Sequence, residues 1–139
     1  MIYRSKFEKN IADYLDSIGI DYSYEELGLE YFKHVTMGFC PECECTKVKK
    51  QGWYTPDFVI GNIIIEAKGK FTPRDRTKMI AVKACHPNLD IRILLMRDNW
   101  VTKKKLQRYS DWCDKNGFPY HVSAIGEVPE EWILESRSK

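Results

Sequence analysis

A chain of 139 residues, 43% hydrophobic and 30% charged, suits one domain with its own core and excludes a disordered polymer. The net charge of +2 excludes a uniformly basic nucleic-acid coat. No apolar run approaches the roughly 20 residues that cross a bilayer, and the opening Met1–Lys6 lacks the apolar stretch of a secretion signal, so the expected compartment is the cytoplasm. Five cysteines, three of them close together, point to thiols or metal ligands and away from a disulfide framework. Basic residues gather at 68–83 and 97–108, while acids gather at Glu25, Glu26, Glu30 and near the C-terminus. Such patches fit either a polyanion bound at one face or solvated helix faces.

In chain order, Phe7, Ile11, Tyr14, Leu15 and Ile18 recur at helical spacing before Gly19. Ser5 is a natural N-cap, and Glu8 completes a capping box. Residues 20–26 alternate loosely, as a strand. Residues 33–53 lack periodicity and read as irregular. Trp53–Ile60 reads as a strand, Gly61-Asn62 as a tight turn, and Asn62–Lys68 as a central strand apolar on both faces through Ile63-Ile64-Ile65. Thr72 as N-cap, Pro73 at the first helical position and Asp75 in the first turn open a helix that runs to about Cys85. Leu89–Met96 is a further strand. A basic helix is expected over 102–116, ended by Gly117, then a strand over 119–125 and a short helical turn over 129–134. The order implies an α/β fold, a mixed sheet flanked by helices.

The chemistry lies in Pro56-Asp57, eight residues, then Glu66-Ala67-Lys68. A period of two places Glu66 and Lys68 on one strand face with Asn62 and Ile64, and the turn at 61–62 folds the preceding strand back so that Asp57 approaches Glu66. Two converging carboxylates, with the Ala67 backbone carbonyl, offer oxygen ligands to a hard divalent cation, Mg2+ or Mn2+. Such an ion polarises a phosphoryl oxygen and activates water, and Lys68 orients or deprotonates that water or stabilises transition-state charge. The competing reading is a buried Asp–Lys–Glu ion cluster.

The run resembles the P-D-(D/E)-x-K signature of a nuclease superfamily. More narrowly, the chain resembles the phage endonuclease I family, which resolves four-way (Holliday) DNA junctions. The matching stretches are Ser5–Gly19 with Glu8, Ile20–Glu26, Tyr54–Phe58, Ile65–Gly69, His86–Ile93 and Val128–Ile133. The resemblance implies a nuclease core, host-cell cytoplasmic location of a phage protein, and a homodimer that exchanges parts. Residues 1–33 would be the exchanged helix and strand, 34–52 a bridge, and 53–139 the catalytic sheet and helices of one 1–139 domain. It carries catalytic roles to Glu8, Asp57, Glu66 and Lys68. A further family acid falls on Ser23.

Junctions are recognised by shape, so phosphate contacts are expected from Arg74, Arg76 and Lys78 at the start of a helix, then from Lys103, Lys104 and Lys105. Cys40, Cys43 and Cys45 with His34 are candidate ligands of a structural Zn2+ that would brace the bridge; reduced surface cysteines are the alternative. Three other functions compete with junction resolution: a sequence-specific restriction or homing endonuclease, a non-catalytic zinc-braced DNA-binding module, and a small structural protein whose charged cluster is only an ion pair.

Overall fold

The computed structural model describes residues 2–36 and 47–137, with 33–36 and 47–50 in backbone only. Helix α1 (Lys6–Ser17) leads into β1 (Ser23–Tyr24), β2 (Leu29–Thr36), β3 (Lys47–Tyr54), β4 (Phe58–Ile60) and β5 (Ile63–Lys68). Then come α2 (Pro73–Cys85), β6 (Asp90–Leu95), α3 (Tyr109–Asn116), β7 (Tyr120–Val122) and α4 (Glu130–Ser136). Among the described residues, five strands form one mixed sheet in the order β1-β4-β5-β6-β7. β1–β4 and β4–β5 are antiparallel, whereas β5–β6 and β6–β7 are parallel.

The alternation of β5 explains the layers. Ile63 and Ile65 point to one face, where they meet Ile11 and Leu15 of α1 and Trp132 and Ile133 of α4. Ile64 points to the other, where Met79 and Val82 of α2 pack with Trp112 and Cys113 of α3. Burying such side chains contributes about 1.5–3 kcal/mol each. A strand apolar on both faces therefore sits at the centre, as expected. No helix among the described residues is long and apolar enough to cross a membrane.

Several boundaries depart from the sequence reading. Residues 33–53, expected to be irregular, contribute most of a two-stranded ribbon, β2–β3, in continuous register from Leu29↔Tyr54 to Thr36↔Lys47. The ribbon stands outside the main sheet. Phe32 and Trp53 are exposed within it, whereas Leu29, Tyr31 and Tyr54 pack into the core layer that holds α2; beyond that base Lys47, Lys49 and Lys50 leave no apolar alternation to read. The strand expected over 53–60 is broken. Pro56 has no N–H to donate, and the chain bends at Asp57 between β3 and β4. β1 is only two residues long because Glu25 turns into the left-handed region, φ 53°.

The helix expected from residue 102 begins at Tyr109. Three successive lysines present no apolar face, Leu106 is exposed, and Lys105 adopts φ 55°. Asp98 instead anchors the start of α3, accepting the Ser110 N–H at 2.9 Å. Lys103, Lys104 and Lys105 thus lie on a loop.

The turn between β4 and β5 depends on Gly61, whose φ is 56°. A Cβ there would lie 2.4 Å from the Ser136 carbonyl oxygen at the end of α4, so both conformation and space require glycine.

Candidate active site

Asp57 sits at the bend before β4, opposite the end of β5. Its Oδ2 accepts the Ala67 N–H at 2.9 Å, which fixes the carboxyl to the central strand. Burial, then the charges of Glu66 and Glu8, push its pKa up to about 8; the Ala67 N–H and Lys68 oppose this. Glu8, from α1, is itself buried. One of its oxygens accepts the Tyr24 hydroxyl at 2.8 Å, the other the Ser5 hydroxyl at 3.2 Å. Ser5 caps α1 as expected, accepting the Glu8 N–H at 3.1 Å. The Glu8 carboxylate, however, turns to Tyr24 and Asp57 rather than to the cap's backbone.

Glu25 is an unexpected third member. Glu8, Glu25 and Asp57 each offer a carboxylate oxygen, and these oxygens all lie within 4.8 Å of one another. The Glu25 N–H donates to the Asp57 carbonyl at 3.0 Å, and Arg4 Nε meets the Glu25 carboxylate at 2.7 Å. Ser23, where the resemblance places a family acid, pairs with Val59 in the β1–β4 ladder. The signal for Glu25 lies in its left-handed backbone, which sequence spacing does not reveal.

Glu66 is buried at the end of β5. Burial pushes its pKa up, opposed by Lys68 and by the Tyr54 hydroxyl. Tyr54 donates to Oε1 at 2.8 Å, and Lys68 Nζ stands 3.2 Å from Oε2. Tyr54 is almost fully buried, and burial together with Glu66 drives its pKa upward, so it remains a donor. Lys68 also contacts Asp75 Oδ1 at 3.4 Å. Burial opposes the lysine charge, but Glu66 and Asp75 outweigh it and raise its pKa.

Asp75 does two jobs. Its Oδ2 accepts the Thr72 N–H at 3.1 Å, closing a capping box at the start of α2, while Oδ1 faces Lys68. Burial disfavours its charge, yet Lys68 and the Thr72 hydrogen bonds hold its pKa below the ordinary range. Tyr54 and Asp75 are positioning residues that the sequence reading assigned to no site. Tyr54 lies next to Thr55-Pro56-Asp57, but its reach to Glu66 depends on how the ribbon joins the sheet.

The expected four, Glu8, Asp57, Glu66 and Lys68, therefore converge. Burial raises the pKa of both Asp57 and Glu66, and the like charges of Glu66 and Glu8 add to it at Asp57, an arrangement that a divalent cation would relieve, so the donor set fits one. Of the basic residues, Arg74 is exposed on α2. Arg76 donates to the Phe71 carbonyl. Lys78 lies over the Tyr54 and Tyr31 rings, 5.6 and 6.0 Å from their centroids, and its charge bears on Glu66. Cys40, Cys43 and Cys45 lie outside the described residues. His34 is described in backbone only, paired with Lys49.

The model of the family described as phage endonuclease I matches residues 1–139. The chain is similar to "Endonuclease I" of Escherichia phage T7, 32% identical over 139 residues, covering 99% of this chain and 82% of that protein. It is also similar to "Endodeoxyribonuclease 1" of Enterobacteria phage T3, 32% identical over 117 residues, covering 83% of this chain and 68% of that one.

Proposed function

Because the chain belongs to the phage endonuclease I family and is an endodeoxyribonuclease, we propose that its substrate is branched DNA, the four-way junction above all, cut by divalent-metal-dependent hydrolysis in a P-D-(D/E)-x-K type core. The observation that carries this reading is the meeting of Asp57 with Glu8 and Glu25 on one side and, across the end of β5, Glu66 paired with Lys68 at 3.2 Å.

Asp57, Glu66 and the Ala67 carbonyl would hold Mg2+ or Mn2+, with Glu8 and Glu25 at its edge. The ion would supply Lewis-acid polarisation of the phosphoryl oxygen and acidify a water molecule. The chain's own groups do the rest. Tyr54 and Ala67 hold the two carboxyls in place, so their oxygens need no reorganisation. Lys68, held by Glu66 and Asp75, places a positive charge beside the phosphate. In hydrolysis the water oxygen bonds to phosphorus, one P–O bond of the backbone breaks, and the leaving oxygen takes a proton.

The proposal includes a homodimer in which residues 1–33 of one chain lie on the sheet of the other. A ribbon that stands outside the main sheet, after a short 25–28 connection, suits such an exchange, since the same contacts form within or between chains. It also includes structural Zn2+ on His34, Cys40, Cys43 and Cys45, which metal analysis of purified Cys40→Ser/Cys43→Ser protein beside the parent would test.

The decisive experiment incubates the protein with a labelled four-way junction and its matched linear duplex, with Mg2+ or with EDTA, beside Lys68→Ala. The expected result is metal-dependent cutting of the junction alone, slowed at least about 100-fold by the substitution, with junction affinity retained. Cutting of both DNAs at equal rates would overturn junction selectivity and favour the sequence-led alternative. Full cutting by Lys68→Ala would remove Lys68 from the chemistry.

A further inference from the structure

A cavity of about 460 Å3 opens between the start of α2 and the loop that follows β6. Four cations, Lys70, Arg76, Lys103 and Lys105, line it, and no carboxylate does. Phe71, nearly inaccessible, supplies apolar wall, and Trp100, 36% exposed, supplies an aromatic ring. The Arg108 guanidinium lies 4.1 Å over that ring, and Trp100 and Arg108 form an isolated β-bridge. The indole is therefore held in place before any ligand arrives. Arg76 is likewise fixed through its donation to the Phe71 carbonyl.

The cavity adjoins the active site. Lys70 follows Lys68 by two residues, and Thr72 and Pro73, which also line it, open the helix whose Asp75 faces Lys68. Its size falls within the range of small-ligand pockets and is too small for a duplex. A paired duplex offers phosphates outward but keeps base faces stacked inside. An aromatic ring ringed by cations matches one unstacked nucleotide, whose base has an apolar face and whose flanking phosphates are anionic.

We propose that this cavity is a subsite for one unstacked nucleotide of the DNA strand near the branch, with its base against Trp100 and its phosphates on Lys70 and Arg76. The inference rests on the DNA-cleaving reading and specifies how that site takes a branched substrate rather than a continuous helix.

The test measures binding rather than cleavage. Lys68→Ala protein is titrated by fluorescence anisotropy, in EDTA, with four-way junctions carrying one abasic site at each of the three nucleotides either side of the branch point. Trp100→Ala and Trp100→Phe are made in the same background and their folding checked by thermal melting. One abasic position should weaken binding about tenfold, a typical value for loss of a stacked base. Trp100→Ala should cost a similar factor, the two losses should not add, and Trp100→Phe should keep most of the affinity. Fully additive losses, or no sensitive position, would overturn the subsite. If only Lys70→Ala and Arg76→Ala weaken binding, the cavity holds phosphate alone, and the base contact is refuted. If the parent protein binds no junction at all, the substrate reading itself fails.

Discussion

Asp57 carries the clearest residue-scale consequence. Its pKa stands at about 8 in the folded chain against an ordinary 3.8. The folded state therefore holds that proton more tightly than the unfolded chain. The stability this gives is complete below about pH 4 and is lost as pH rises towards 8. Asp57→Asn should accordingly stabilise metal-free protein at pH 8 by on the order of 2 kcal/mol, seen as a higher melting temperature, and give no gain at pH 4. Added Mg2+ should raise the melting temperature of the parent protein but not of the variant. Thermal melts across pH check both; a variant less stable than the parent at pH 8 would contradict the crowded-carboxylate account. Asp57, Glu66 and Lys68 were legible in the sequence because strand periodicity and one tight turn suffice to bring them together. Tyr54, Asp75 and Glu25 were not, because each reaches the site only through the placement of another element or through an unusual backbone angle.

At the scale of elements, α1 is coupled to the site through two anchors of different kinds. Ser5 caps the helix and also donates to Glu8, whereas the Tyr24 hydroxyl in β1 donates to the Glu8 carboxylate and accepts the Arg4 N–H at 3.0 Å, taking no part in the cap. Ser5→Ala should cost about 1 kcal/mol of stability, a few degrees of melting temperature. Tyr24→Phe leaves the cap intact and should slow cleavage without reproducing the loss of helical capping. Melting curves and single-turnover cleavage of the two variants separate the roles; equal effects on both readouts would merge them. Elements with an obligatory buried face were readable, since α1, β5 and β6 carry apolar spacing matched to their geometry, and α2 was readable from its opening Thr72-Pro73-Arg74-Asp75, which forms a capping box. The β2–β3 ribbon was not, since only its base, through Leu29, Tyr31 and Tyr54, packs into the core, and the rest is paired outside the main sheet. The 102–108 segment reads as helix because Leu106 stands at helical spacing from Tyr109 and Trp112-Cys113, yet Leu106 is exposed and Lys105 takes a left-handed backbone.

For the whole molecule, the proposed exchange of residues 1–33 makes a definite prediction. Glu8→Gln and Glu66→Gln chains should each be inactive alone, and refolding them together should restore part of the cleavage, because one of the two sites in a mixed dimer is then free of both substitutions. No recovery would mean that each chain builds its site from its own α1, as the single chain's geometry also allows. The end of the chain has its own part in the site. Gly61 meets the Ser136 carbonyl with no room even for a methyl group. The loop joining the two carboxylate-bearing strands is therefore measured off by the C-terminal helix. An extra residue in that loop would have to dislodge α4 from the sheet. The eight-residue interval between Asp57 and Glu66 is thus policed from 70 residues further along the chain, and relatives that lengthen this loop should be found to have shortened, shifted or lost the terminal helix.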